Sequence, residues 1–362
     1  MPQLKSIGYT IELGASALDA FNQYLKKESY SFYVIICDEN TLVHCLPSLL
    51  ASCTILKNAE VIELESGEAS KDIEIASHIW QTLIELKADK KTLIINLGGG
   101  VVSDLGGFVA SVYKRGIAFI NIPTSLLAMA DASVGGKTGI DFGTIKNVIG
   151  TITQPKGVFI NFDFLSTLPE RHINNGLAEV YKMALISDAK FWKKLSSQSK
   201  PKELEKWITK SVILKNTIVK KDPLEKNIRK ALNFGHTVGH AIESVLLGTK
   251  NELLHGEAIV SGILAEAWLS YQKKLITKTE LNTIVEVLTR TFKCTKLNTS
   301  DFEAIIAMAE QDKKNTSTGS VTKKKNEIRC VLLNGIGNYK IDVAITSTQI
   351  KKSLEFYNSI VK

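Results

Sequence analysis

The sequence predicts an α/β domain with a parallel sheet over residues 1–165, followed by a mainly α-helical domain over 166–362. Three observations carry this. The chain has 362 residues, more than the ~250–300 at which a single hydrophobic core stops growing. Its first half alternates short Val- and Ile-rich runs with helical spacing, the pattern of a sheet covered on both faces. Beyond about residue 165 the short runs give way to long amphipathic segments.

Taken in order, residues 32–37, 61–64, 93–97, 119–122 and 158–161 read as strands bounded by turn residues. Between the second and third, Ile73, Ile75, Ile79, Leu83, Ile84 and Leu86 recur at helical spacing within 71–87. Segments 176–187, 204–221, 236–247, 256–273, 279–291 and 301–309 read as helices. Residues 327–333 and 339–344 read as a hairpin around Asn334-Gly335. The polar stretch 312–325 reads as a mobile loop, and no internal repeat is present.

Hydrophobic residues at 44% and charged residues at 23% are the proportions of a soluble globular protein. The net charge of +8 is scattered, with one dense block at Lys323-Lys324-Lys325. That distribution argues for a solvated surface and against nucleic acid, and it suits an anionic small substrate. Five cysteines, an odd number without a CxxC pair, give no sign of a disulfide framework or a thiolate metal site. Cys37 follows Val34-Ile35-Ile36, where a buried inert thiol is expected. Met1-Pro2-Gln3-Leu4-Lys5 begins no apolar leader, and no apolar run reaches the ~18 residues of a membrane span. The expectation is a cytoplasmic protein without a membrane partner.

Leu93-Ile94-Ile95-Asn96-Leu97 runs straight into Gly98-Gly99-Gly100 and then helix-forming residues. A strand, a glycine cluster and a helix start bring backbone N–H groups close to a phosphate. A tight turn without ligand is the competing reading. The position at a strand's carboxyl end favours the ligand, although the spacing is not GxGxxG. Downstream, Ile122-Pro123-Thr124-Ser125 ends a strand in hydroxyl residues, a short helix carries Asp131, and Gly135-Gly136-Lys137-Thr138 follows. No earlier glycine stands where a Walker A loop needs one, so an NTPase is rejected. A lysine after a glycine pair still grips phosphate or carboxylate, and Lys146-Asn147 adds a second cation and an amide.

Three of the six histidines, His236, His240 and His255, crowd into one stretch. His236 and His240, at i and i+4, share a helix face, a frequent zinc-binding arrangement. One structural and one surface histidine is the alternative, but Asn233, Gly235, Thr237 and Gly239 are not the neighbours of a plain core face. The absence of HExxH excludes a zincin protease. Glu179 lies among Leu177, Ala178 and Val180, where a carboxylate needs a partner, and a metal is one such partner. One carboxylate with two imidazoles leaves a coordination position open, the mark of a catalytic metal.

Together these segments resemble the 3-dehydroquinate synthases, a sugar-phosphate cyclase family. The likeness runs from Cys37-Asp38-Glu39-Asn40 to Asp312-Lys313-Lys314. It is most specific over 98–147, over 232–240 and at Leu254-His255-Gly256-Glu257. The resemblance implies a homodimer whose subunits join a Rossmann-like NAD-binding domain to a helical metal-binding domain. It implies Glu179, His236 and His255 as ligands of zinc, with cobalt fitting the same set. His240 then becomes a proton-transfer group rather than a ligand. NAD would meet Asp38, Asn40, Glu68 and Lys71 at its adenosine side, and Gly99, Gly100 and Asp104 at its pyrophosphate and ribose. Thr124, Ser125, Lys137, Lys146 and Thr167 would complete the pocket. The substrate's carboxylate, phosphate and hydroxyls would meet Arg115, Asp131, Lys137, Asn147, Lys182, Lys215, Arg229, Asn233 and either Lys313 or Lys314.

The implied reaction is the conversion of 3-deoxy-D-arabino-heptulosonate 7-phosphate into 3-dehydroquinate, in the shikimate pathway to the aromatic amino acids. Transient oxidation of a hydroxyl acidifies the neighbouring C–H, phosphate leaves by β-elimination, the hydride returns, the ring opens and an aldol step closes the carbocycle. Five cations, Arg115, Lys137, Lys182, Lys215 and Arg229, suit a phosphate and a carboxylate. Two departures from the family pattern are small: about three extra residues around 248–252, and serine at 125. Rival readings are a sibling cyclase of the inosose or valiolone type, a metal-dependent polyol dehydrogenase, and a basic binding module.

Overall fold

The computed structural model describes residues 3–143, 145–198, 203–312 and 327–361. It forms two compact units, one from Met1–Gly176 with Glu205–Lys220, the other from Leu177–Leu204 with Lys221–Lys362. The polar stretch expected to loop, beyond Asp312, lies outside the described residues, and with it Lys313, Lys314 and the Lys323-Lys324-Lys325 block.

The first unit holds strands β1 (Gln3–Lys5), β2 (Thr10–Leu13), β3 (Phe32–Asp38), β4 (Glu60–Leu64), β5 (Thr92–Gly98), β6 (Ala118–Pro123), β7 (Lys137–Phe142), β8 (Ile145–Ile152) and β9 (Gly157–Ile160). Its helices are α1 (Ala17–Lys27), α2 (Glu39–His44), α3 (Leu46–Ser52), α4 (Ile73–Glu85) and α5 (Gly100–Val112). Seven strands make one sheet in the order β1-β2-β9-β6-β5-β3-β4. All neighbours are parallel except β1 on β2. The expected parallel α/β sheet is therefore present. Every residue of β5 is buried, as expected of a central strand covered on both faces. Val34, Ile36, Ile94, Phe119, Ala76, Ile79, Leu83, Leu105 and Val109 make one core between the sheet and α4 and α5. The strand order reverses between β3 and β5, so the carboxyl ends of these two strands flank the crevice where open α/β sheets bind ligands. β7 and β8, which the sequence did not announce, form a separate antiparallel hairpin.

α6 (Glu170–Ser187) carries the chain from the first unit into the second. α7 (Ala189–Ser196) follows, and α8 (Leu204–Lys221) returns almost wholly to the first unit, where Asn216 donates to the Lys5 carbonyl at 3.0 Å. The second unit continues with α9 (His236–Leu246), α10 (His255–Gln272), α11 (Lys278–Thr291) and α12 (Phe302–Asp312). The expected hairpin is β10 (Glu327–Leu333) with β11 (Tyr339–Thr346), and α13 (Ser347–Ile360) ends the chain. α10 is apolar around its circumference and almost wholly buried, the central helix of a helical unit. Among the described residues no helix is long and apolar enough to cross a membrane.

Candidate active site

The residues expected at the nucleotide gather along the carboxyl edge of the first unit's sheet. Asp38 ends β3 and caps α2, its carboxylate accepting the Thr41 amide at 2.9 Å, with Asn40 exposed in the first turn. Gly99 caps α5 and Gly100 opens it, directly after β5. Thr124 follows β6, its amide donating to the Gly98 carbonyl at 3.0 Å. A side chain at Gly99 would meet Ser125 Oγ at 3.3 Å, so the glycine keeps this turn open. Thr167 ends the 3₁₀ turn Phe162–Thr167 that follows β9. The N-cap of α5 makes no side-chain hydrogen bond among the described residues, and helix N-termini favour anions.

Beside this turn lies a buried charge network. Lys71, 4% exposed, donates to Asp104 Oδ2 at 2.7 Å and to Asn147 Oδ1 at 2.5 Å, with Glu68 Oε1 3.8 Å away. Lys146 stands 3.4 Å from the same Glu68 oxygen. Burial opposes the charge on Lys71, but Asp104, Glu68 and Asp141 outweigh it and raise the ammonium above its ordinary value. Burial pushes Asp104 upward against the pull of Lys71. Asp141 organises the hairpin end: its amide donates to the Lys71 carbonyl at 2.8 Å, and its carboxylate accepts the Asn147 amide at 2.7 Å. Asn147 has φ +52°, so this bond holds a left-handed backbone that delivers the side chain to Lys71. Lys137 opens β7 and is exposed. Lys215, on α8, reaches Asp131 Oδ1 at 2.8 Å and its carbonyl at 2.5 Å; Asp131 sits in a π-helical turn over Ala128–Ala132. Arg115 is not brought to these residues. It is exposed just before β6, at the far end of α5 from Gly100 and so at the opposite edge of the sheet, about 20 Å away by helix rise.

In the second unit, α6, α9 and α10 bring Glu179, His236, His240 and His255 together. Gly262 of α10 allows this, because a Cβ there would strike the Gly235 carbonyl and lie 2.6 Å from the Gly239 amide. Gly235 itself has φ +81°, a turn that releases the chain into α9 at His236. Buried Glu266 of α10 then accepts the Gly235 amide at 2.6 Å and the Val238 amide at 3.1 Å, serving as a remote cap for α9.

Ring nitrogens of His236, His240 and His255 lie within 4.8 Å of one another. Glu179, 1% exposed, places Oε1 3.6 Å from His236 Nε2 and 3.7 Å from His255 Nε2, and that oxygen has no hydrogen bond. Two donors each ~2.1 Å from one tetrahedral zinc would lie roughly 3.4 Å apart. The donor set and its spacing fit a divalent cation. The outer nitrogens are held from behind: His236 Nδ1 lies 3.1 Å from the Phe234 carbonyl and His255 Nδ1 3.3 Å from Glu243 Oε2. Lys182 pairs closely with Glu179 Oε2. Burial resists charge on Glu179, but Lys182 and His255 hold the carboxyl down to about 2. Burial and Lys182 together push His236 well below the usual histidine range. His255 goes up to about 10, because Glu243 and Glu179 outweigh its burial.

Arg229 is buried in the 3₁₀ turn Ile228–Asn233, its Nη1 donating to the Pro223 carbonyl at 2.6 Å. Asn233 ends that turn and donates to Glu225 Oε1 at 2.8 Å. Sequence reasoning passed over Glu225, whose φ of +56° turns it toward Asn233, and over Glu243 and Glu266. The last two carried a usable signal. Each is a carboxylate inside an apolar helical stretch, as Glu179 is, and Glu243 falls three residues after His240 on the same face.

A model described as 3-dehydroquinate synthase N-terminal matches residues 61–175, and one described as 3-dehydroquinate synthase C-terminal matches 176–315. A 3-dehydroquinate synthase of Parabacteroides distasonis is 36% identical over 338 residues, 92% of this chain and 93% of that protein. Among solved structures, a 2-deoxy-scyllo-inosose synthase complexed with carbaglucose-6-phosphate, NAD+ and Co2+ superposes with a TM-score of 0.86 at 24% identity, covering 98% of this chain and 99% of that one. A 2-epi-5-epi-valiolone synthase from Streptomyces hygroscopicus subsp. jinggangensis 5008, with NAD+ and Zn2+ bound, gives 0.82 at 24% identity and covers 99% of both chains. These two share the fold. The chain belongs to the 3-dehydroquinate synthase family.

Proposed function

We propose that this chain catalyses the reaction of its family, converting 3-deoxy-D-arabino-heptulosonate 7-phosphate into 3-dehydroquinate and phosphate. That makes it a carbon–oxygen lyase of the shikimate pathway. The observation that carries the reading is the 36% identity, over 92% of the chain, with a relative named for that reaction. The inosose and valiolone synthases match at 24%, which speaks for the shared fold and not for their substrates. NAD and a divalent cation, zinc or cobalt, are the cofactors, as in those two complexes. When bound they supply a reversible hydride acceptor and a Lewis acid for the hydroxyl that is oxidised.

In this reading Glu179, His236 and His255 hold the cation, supported by the unbonded Oε1 facing both Nε2 atoms. Lys182 orients the Glu179 carboxylate. His240 takes or gives a proton at a ring nitrogen beside the other two imidazoles. Gly99 and Gly100 present backbone amides to the NAD pyrophosphate, while Asp104, held by Lys71, accepts from a ribose hydroxyl. Asp38 at the end of β3 and Asn40 in the first turn of α2 meet the adenosine side. Lys137, Asn147 and Lys215 of the first unit, and separately Arg229 and Asn233 of the second, are the residues assigned to the substrate's anionic groups and hydroxyls by the family resemblance. Lys215 and Asp131 hold one another in place for that role.

The working form in this reading is a cytoplasmic homodimer without nucleic-acid or membrane partners. Support comes from the scattered lysines, from exposed Phe142, Ile145, Val148 and Ile152 on the β7–β8 hairpin, which a second copy would cover, and from the thiols. Burial pushes Cys37, Cys45 and Cys53 up to about 12, so they stay protonated and inert. The test is substrate choice. With NAD and zinc, the purified chain turns over the heptulosonate phosphate and leaves glucose 6-phosphate, which lacks the carboxylate, untouched. Turnover of glucose 6-phosphate instead would assign it to a sibling reaction.

A further inference from the structure

His255 is gripped at both ends of its ring. Nε2 faces Glu179 Oε1 at 3.7 Å, and Nδ1 faces Glu243 Oε2 at 3.3 Å. Glu243 is 4% exposed, on the inner face of α9 with His236 and His240 at i−7 and i−3. A carboxylate so far from water is costly to bury unless it is paired, and the ring of His255 is one partner it has. An imidazole has one acceptor nitrogen when neutral, and the hydrogen bond at the other nitrogen decides which it is. With Glu243 accepting from Nδ1–H, Nε2 is the nitrogen that gives up its proton to a cation, on the side of Glu179 and His236. The backbone carbonyl of Phe234 does the same for His236, 3.1 Å from its Nδ1.

We propose that Glu243 is a positioning residue for the metal centre: it fixes the ring of His255 so that Nε2 faces the cation, and thereby sets metal affinity. The inference rests on the reading of Glu179, His236 and His255 as ligands. Carboxylates placed behind a ligating histidine typically change metal affinity by about 10–100-fold. Glu243 touches neither substrate nor nucleotide in this account, and the contact that carries the proposal is the one to His255 Nδ1.

The experiment is a zinc titration of the metal-stripped full chain against a chromophoric chelator. Glu243→Gln keeps the size and an acceptor oxygen but loses the charge; Glu243→Ala loses both. The expected result is a zinc affinity weaker by about tenfold for Gln and by up to about 100-fold for Ala. At saturating zinc, Glu243→Gln regains wild-type KM for substrate, a recovery that general disruption of the fold would not give. Affinity within about twofold of wild type for both variants overturns the proposal. A second readout needs no variant. In crystals of the zinc-loaded wild-type chain, the ion should sit on His255 Nε2 with Glu243 on Nδ1, and an ion on Nδ1 overturns the proposal. A wild-type chain that binds no zinc at all refutes instead the ligand assignment on which it stands.

Discussion

Glu266→Gln isolates the contact that aims α9. The Glu266 carboxylate is fully buried and accepts two backbone amides, Gly235 at 2.6 Å and Val238 at 3.1 Å. A carboxamide of the same shape accepts only one of them and turns its own NH2 toward the other. One buried N–H then loses its partner, at about 1–3 kcal/mol, and the surviving bond loses its charge assistance, about 1 kcal/mol more. The carboxylate's attraction to the helix N-terminus goes as well. The sum is about 3 kcal/mol. For folding units of this size each kcal/mol moves the midpoint by about 2–4 °C, so the thermal transition of the metal-stripped variant should fall by about 6–12 °C. Calorimetry on the full chain reads this directly. His236 is the first residue of α9, so zinc affinity should fall in parallel. A midpoint within about 2 °C of wild type would refute the reasoning, because it would mean that Glu266 is not the partner these two amides depend on.

Glu179→Ala and His255→Ala should each lose bound metal and activity together, by more than the roughly 10–100-fold typical of outer-shell groups; full wild-type turnover after chelation would contradict this. Lys137→Ala should lower turnover much more than NAD affinity, measured by steady-state kinetics and by fluorescence titration; the reverse pattern would move this lysine to the nucleotide. Asp222 accepts the amides of Lys226, Asn227 and Arg229 at 3.0, 2.7 and 3.0 Å, which outweighs its burial and holds its carboxyl below the usual range. A carboxyl depressed in the folded state adds stability that is present above its ordinary value of about 3.9 and is lost as pH falls through the folded value. Asp222→Ala should therefore cost about 0.5–2 kcal/mol at neutral pH. Denaturation series should show that difference shrinking as the pH drops below about 3.9; a gap that stays constant would contradict the assignment.

What the sequence revealed follows what burial writes into it. β3 and β5 were legible because central strands are apolar throughout. The β7–β8 hairpin was not: Lys137-Thr138-Gly139-Ile140-Asp141-Phe142 shows no clean alternation. Its register is fixed by contacts no pattern displays, such as Thr138 against Thr151 at 2.9 Å and the close approach of Gly139 and Gly150. The helical period of α8 was plain, yet periodicity cannot say which unit a helix joins. Lys215 meeting Asp131 and Asn216 meeting Lys5 decide that. The i, i+4 spacing of His236 and His240 singled out one helix face. His255 comes from the next helix, across the Gly235–Gly262 contact, a relation invisible to local spacing. Glu243 and Glu266 are legible only as carboxylates in apolar helices, the same signal that marks Glu179.

The central claim is that an oxidation and a reduction cancel within one turnover that expels phosphate. The most direct test supplies the purified chain with NAD, zinc and 3-deoxy-D-arabino-heptulosonate 7-phosphate, and follows inorganic phosphate and NADH absorbance together. The account predicts many equivalents of phosphate per enzyme with no accumulating NADH. NADH rising in step with consumed substrate, or no phosphate release by the metal-loaded chain, would contradict it.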